Sequence, residues 1–211
     1  LWDLAVQNLD WTTAAGLEFI DMNHENPFFL YFATTVPHGP NEDNRSWNAD
    51  PSVTARGILE APPTVMPERH TLPERIRKAG LQGTRRENIL WLDDALGALI
   101  DRLETYDILE NTIIFFFNDH GQHAKGTLYQ GGVHNPSIVW KSGGFPCGPE
   151  SNVNVSNVDF VPTILELAGA SEIPENIIIY IFKIRDVNLL VFSFFLFSNI
   201  FFITYLRVHN Y

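Results

Sequence analysis

Apolar residues in this chain come in short unbroken runs, set between one long periodic stretch and several polar ones. Residues 12–22 carry Ala15, Leu17, Phe19 and Ile20 on one rough side, which predicts a helix. Pro27 stops it, and Phe28-Phe29-Leu30-Tyr31-Phe32-Ala33 follows. A continuous apolar run of that length suits a strand buried on both faces. Residues 88–106 hold the strongest helical spacing, with Ile89, Leu92, Leu96, Leu99 and Leu103 recurring at three and four. Asn111-Thr112 then opens a second apolar run, residues 113–117, which ends at Asn118-Asp119-His120-Gly121. Ser137-Ile138-Val139-Trp140 after Pro136 makes a third, and a last helix near residues 158–167 is stopped by Gly169. Helices alternating with apolar strands predict an α/β fold, with a mostly parallel sheet flanked by helices. Residues 28–33 and 113–117 are expected to be neighbours in that sheet. Residues 36–80, rich in Pro, Asn, Asp, Glu and Arg, read as a long surface excursion.

The pattern changes near residue 175. All 14 Gly and all 13 Pro precede that point. Residues 176–211 lack Gly, Pro and Ala, and no helical or strand period orders them. Two readings fit this segment. Residues 189–206 form an apolar run about long enough to cross a bilayer as a helix, the chain's one route to a membrane. Alternatively the segment is translated non-coding sequence, and its composition favours that reading. The chain therefore divides into residues 1–175 and a tail of foreign composition, residues 176–211, expected to stay outside the sheet.

Charge and cysteine usage narrow the function classes. The 14 basic residues face 25 acidic ones, for a net charge of −11. The tail contributes +2 through Lys183, Arg185 and Arg207 against Asp186, which leaves −13 for residues 1–175. With no basic run in so acidic a chain, no nucleic-acid partner is expected. One cysteine excludes a disulfide framework and a Cys-rich zinc site. No n-region or h-region follows Leu1, so no signal peptide is read in this chain.

Ligands of open α/β sheets gather at the carboxyl ends of strands. Two predicted strand ends carry unusual polar groups, Thr35-Val36-Pro37-His38-Gly39-Pro40 and Asn118-Asp119-His120-Gly121. Taken singly, His38 is a turn histidine and Asp119 closes a strand in an Asx-type turn. Taken together they form one rim. Asp119 offers carboxylate oxygen and His120 imidazole nitrogen, which is half of a metal site. Lys125, four residues beyond Gly121, suits an oxyanion or simply a solvated loop.

These blocks resemble the sulfatase family. The resemblance rests on Phe28-Phe29-Leu30-Tyr31-Phe32-Ala33 leading to Pro37-His38, on Leu92-Asp93-Asp94-Ala95-Leu96-Gly97, and on Asn111-Thr112-Ile113-Ile114 running into Asp119-His120-Gly121. It continues through Lys125-Gly126-Thr127-Leu128-Tyr129-Gln130-Gly131-Gly132-Val133 with Pro136, and Val158-Asp159-Phe160-Val161-Pro162-Thr163-Ile164-Leu165. Five blocks in order, across about residues 12–172, imply the alkaline-phosphatase-like α/β fold. They imply metal-assisted hydrolysis of sulfate esters, with a formylglycine nucleophile and a calcium ion. By this resemblance Asp119 and His120 match two metal ligands, and Lys125 matches a lysine contacting sulfate oxygen. His38 matches a histidine that contacts sulfate or protonates the leaving oxygen. Many members carry Asn where His120 stands. Nitrogen is not the donor calcium prefers, so manganese and zinc stay open. Gln130 and His134 stand where the family often has Glu and Arg, and receive no role.

The formylglycine motif, C/S-x-P-x-R, is absent. Cys147-Gly148-Pro149-Glu150-Ser151 has Pro at the right offset but Ser151 in place of Arg. The chain accordingly reads as the later, incomplete part of a sulfatase catalytic domain. Its expected partner is a sulfated small molecule or glycan. A phosphonate or phosphodiester hydrolase of the same superfamily, and a truncated remnant without turnover, are the alternative readings. The sequons Asn44-Arg45-Ser46 and Asn154-Val155-Ser156 agree with a secretory, extracellular or lysosomal route.

Overall fold

A seven-residue strand near the end of the chain organises the sheet. The computed structural model describes residues 7–37, 46–83, 86–121, 126–144, 155–156, 159–169, 188–191 and 199–205. In chain order the strands are β1 (Phe28–Thr34), β2 (Val53–Thr54), β3 (Gly57–Ile58), β4 (Thr112–Asn118), β5 (Ser137–Lys141), β6 (Asn188–Val191) and β7 (Asn199–Tyr205). The α-helices are α1 (Leu9–Asn23), α2 (Leu72–Lys78), α3 (Glu87–Thr105), α4 (Gln130–Val133) and α5 (Phe160–Leu167). The five-stranded sheet has the order β5-β4-β7-β1-β6, and β2 and β3 form a separate hairpin.

The α/β class holds, but the expected parallel sheet does not. Only β1 and β6 pair in parallel; β1–β7, β4–β7 and β4–β5 are all antiparallel. Strands β1 and β4 do share one sheet and run in the same direction. They are not neighbours, because β7 lies between them with seven registered residues on each side. The expectation that residues 176–211 stay out of the sheet is corrected by the same observation. Apolar side chains record that a strand is covered above and below. They do not record which backbone lies at its edge, and β-branched and aromatic residues such as those of β7 fit either edge. The single membrane-crossing helix over 189–206 is also not what forms: Asn188–Val191 and Asn199–Tyr205 are strands. Among the described residues, no helix is long and apolar enough to cross a membrane.

Helices cover both faces. On one face α1, α2 and α3 bury Leu17, Ile20, Leu72, Trp91, Leu99 and Leu103 against Phe28, Leu30, Phe32 and Ile114. On the other face α5 sets Phe160 and Ile164 against Ile113, Phe115 and Phe117. Phe160 meets the Phe117 ring at 4.6 Å and the Phe115 ring at 5.7 Å. This double cover explains why β4 reads as an unbroken apolar run. Gly16 lets α1 approach closely, since a Cβ there would lie 3.1 Å from the Phe32 ring and 3.2 Å from Leu99.

Helix α3 keeps most of its predicted face, with Leu92, Leu99 and Leu103 buried and Leu96 packed against the core, and adds to it. Asn88, Trp91, Leu92, Ala95, Leu99 and Leu103 are buried, while Ile89 is 45% exposed. Ile89 instead borders an open apolar groove of about 370 Å³ between α3 and the β4–β5 edge, with Ile138 and Trp140 opposite.

Residues 46–80, expected as part of a loop, carry regular elements. They contain the β2–β3 hairpin and α2, whose Leu72 and Ile76 are buried and whose Pro73 sits in the first turn, where its missing N–H costs nothing. Arg75 of α2 makes a bidentate pair with the buried Asp94 of α3, with Nη1 to Oδ2 at 2.8 Å. That hydrogen bonding, and secondarily the Asp94 charge, raises the Arg75 pKa. Asp94 therefore ties α3 to α2.

Candidate active site

The two strand ends that the sequence brings forward lie level. Thr34 closes β1 and pairs with Asn199; Asn118 closes β4 and pairs with the same Asn199 from its other side. The turn after β1 is tucked in: the Thr34 hydroxyl donates to the Val36 carbonyl at 2.7 Å, and Val36 is buried. Asp119 and His120 follow directly on Asn118, so they stand at this shared edge. Their side chains are 34% and 31% exposed, open to a ligand yet not freely solvated.

His120 is held in one tautomer. Its Nδ1 lies 2.6 Å from the Gly121 carbonyl, which can only accept, so Nδ1 carries the hydrogen. Nε2 then faces Asp119 Oδ2 at 3.6 Å. In the neutral imidazole Nε2 keeps its lone pair, so a cation between the two groups would have both as donors. Divalent cations hold O and N donors at about 2.0–2.6 Å, so two adjacent donors of one ion sit roughly 3–4 Å apart. The pair fits that bite. No third His, Cys, Asp or Glu joins the pair among the described residues.

Three residues without an assigned role in the sequence reading shape this edge. Asn135 donates Nδ2 to the Asn118 carbonyl at 2.8 Å. Gly121 donates its N–H to the Gly132 carbonyl at 2.9 Å. Tyr31 of β1 has its phenol pKa raised, first by burial and then by the Asp119 charge, so it stays a neutral hydroxyl near that carboxylate. Spacing along the chain gives no sign of these contacts, because each joins segments far apart in sequence.

His38 and Lys125 lie outside the described residues, as does Cys147. Their described neighbours are consistent with the rim. Pro37 ends the turn that leaves β1, and Gly126, in the left-handed region at φ 82°, starts the segment that returns toward Gly121. The convergence of all four candidate side chains remains an expectation of the sequence.

Comparison with known proteins supplies the class. The family model described as Sulfatase matches residues 10–170, so the chain belongs to the sulfatase family. It is 30% identical over 174 residues to an arylsulfatase of Hemicentrotus pulcherrimus, covering 75% of this chain and 26% of that protein. It is 30% identical over 181 residues to an N-acetylglucosamine-6-sulfatase of Bos taurus, covering 74% of this chain and 31% of that protein. A shorter match, 38% over 89 residues, joins it to an ulvan-active sulfatase of Formosa agariphila, covering 39% of this chain and 14% of that protein. The chain thus spans less than a third of the length of these relatives.

Proposed function

We propose that residues 10–170 form part of a sulfatase catalytic domain, in which Asp119 and His120 hold a divalent cation beside a sulfate ester. One observation carries this reading: at the carboxyl edge of the sheet, a tautomer-locked imidazole and a carboxylate face each other at the bite of one metal ion. A cation bound there would neutralise negative charge on sulfate oxygens. Lys125 would add a second positive contact to the same oxyanion, and His38, following the level end of β1, would contact it or protonate the leaving oxygen. The substrate class is a sulfated small molecule or glycan, as the names of the relatives indicate for those proteins. The two sequons favour a secretory or lysosomal setting. Residues 176–211 are proposed as a segment added to this domain, since the family match ends before them.

Manganese binding tests the pair. Titration of the full chain with Mn²⁺, following the free ion by electron paramagnetic resonance, is expected to show a site that Asp119→Asn weakens at least tenfold. Equal affinity in the variant would refute the assignment.

The residues present do not fit a formylglycine. No C/S-x-P-x-R sequence occurs in the chain. The 211-residue chain is therefore expected to bind a cation but not to turn over aryl sulfates, since removing a covalent nucleophile typically costs several orders of magnitude in rate. Hydrolysis well above a blank, abolished by Lys125→Ala, would show that the chain carries its own nucleophile.

A further inference from the structure

We propose that Asn135 and Gly121 are positioning residues that fix the spacing of Asp119 and His120; this rests on the reading of that pair as cation ligands. The observation is a clamp with two jaws. Before the pair, Asn135 Nδ2 holds the Asn118 carbonyl at 2.8 Å. After it, the Gly121 N–H holds the Gly132 carbonyl at 2.9 Å. Both jaws belong to one short segment, α4 and the residues after it. Asp119 and His120 are the two residues left between them.

The reason a clamp is needed lies in the local backbone. Strand β4 ends at Asn118, so residues beyond it have no ladder to hold them. Two donors on adjacent residues of a free loop would sample many separations, and a cation would have to order them at the moment of binding. Two hydrogen bonds to one short helical turn restrict that freedom beforehand. The second jaw also explains the glycine. A Cβ at residue 121 would run into the Gly131 carbonyl oxygen and lie 2.9 Å from the His134 carbonyl oxygen. Any other residue there pushes the α4 segment away. Gly121 carries a further duty, because its own carbonyl accepts from His120 Nδ1 at 2.6 Å and so sets the tautomer. Displacing Gly121 therefore disturbs both the distance and the free lone pair of His120.

The test uses the full chain and Mn²⁺ as the probe, with Co²⁺ as a spectroscopic reporter. Asn135→Ala is expected to bind Mn²⁺ at least tenfold more weakly, with a melting temperature within a few degrees of the parent. Its saturated Co²⁺ visible spectrum should change shape, which a mere loss of folded protein would not produce. Gly121→Ala should act in the same direction, while His134→Ala, on the exposed side of the same segment, should stay within twofold of the parent. Should Asn135→Ala fail to fold, Asn135→Ser, with a shorter donor, supplies the comparison. If Asp119→Asn loses binding but the Asn135 variants match the parent in affinity and spectrum, the clamp is refuted and the cation site stands. If the parent binds no Mn²⁺ at millimolar concentration, or Asp119→Asn binds as the parent does, the cation reading falls and the positioning role falls with it.

Discussion

Deleting residues 176–211 is expected to abolish the cooperative unfolding of the remaining chain. Strand β7 supplies seven paired residues to β1 and seven to β4, in the middle of the sheet. Its removal leaves two facing edges of backbone N–H and C=O groups. Both edges lie between helical layers, where Leu30, Phe32, Ile113 and Phe115 are at most 5% exposed. Each unpaired group in such a place costs about 1–3 kcal/mol. A handful of them exceeds the ~5–15 kcal/mol that holds a domain folded. Thermal or urea melts of the truncated and full chains decide the matter. A contrary result has a definite structural meaning. Because β1 and β4 run in the same direction, they could close the gap and pair directly as parallel neighbours, the arrangement the sequence pattern predicts. An unchanged melt, with β1 and β4 amides still protected from hydrogen exchange, would show that the tail is dispensable and that the body stands without it.

The second large effect is expected at Arg69. This side chain is 11% exposed, and each of its three nitrogens donates a hydrogen bond. Its Nε donates to Asp10 Oδ2 at 2.7 Å, Nη1 to the Ala49 carbonyl at 2.9 Å, and Nη2 to Asn8 Oδ1 at 2.9 Å. The guanidinium also lies over the Trp91 ring, 4.7 Å from its centroid. Asn8 in turn caps α1 by accepting from the Trp11 N–H at 3.1 Å, and it donates to the Pro51 and Val53 carbonyls at 2.7 and 2.8 Å. One arginine thus joins the start of α1, the hairpin region and α3. Arg69→Ala strands the Asp10 carboxylate, 7% exposed, without a countercharge. Breaking one partner of a buried pair costs about 3–5 kcal/mol, a large part of the total stability. Arg69→Lys keeps the charge but not the planar fork, and should fall between. Urea denaturation measures all three. A loss below about 1 kcal/mol for Arg69→Ala would mean that solvent or relaxation replaces the guanidinium.

Side-chain periodicity determined much of this protein on its own. The four α-helical and strand runs that form most of the core, α1, β1, α3 and β4, are placed to within a few residues, because burial on one or two faces imprints directly on spacing. Asp119 and His120 were legible as chemistry for a related reason: polar groups directly after an apolar strand mark its carboxyl end. Other features left no periodic trace. Helix α2 is only seven residues long, with two buried positions, and its surroundings are polar. Arg69 reads as one more charge in a charged stretch until the fold brings Asp10, Asn8 and Trp91 to it. Asn135 and Gly121 act through contacts 17 and 11 residues along the chain. The order of strands was decided by tertiary structure alone. Backbone hydrogen bonding is the same for every residue type but proline, so β7 entered between β1 and β4 with no signature in the residues that flank it. The sequence by itself determined which segments are buried and which strand end carries a carboxylate beside an imidazole. Only the tertiary structure decided what pairs with those strands, and how far apart the two ligating atoms stand.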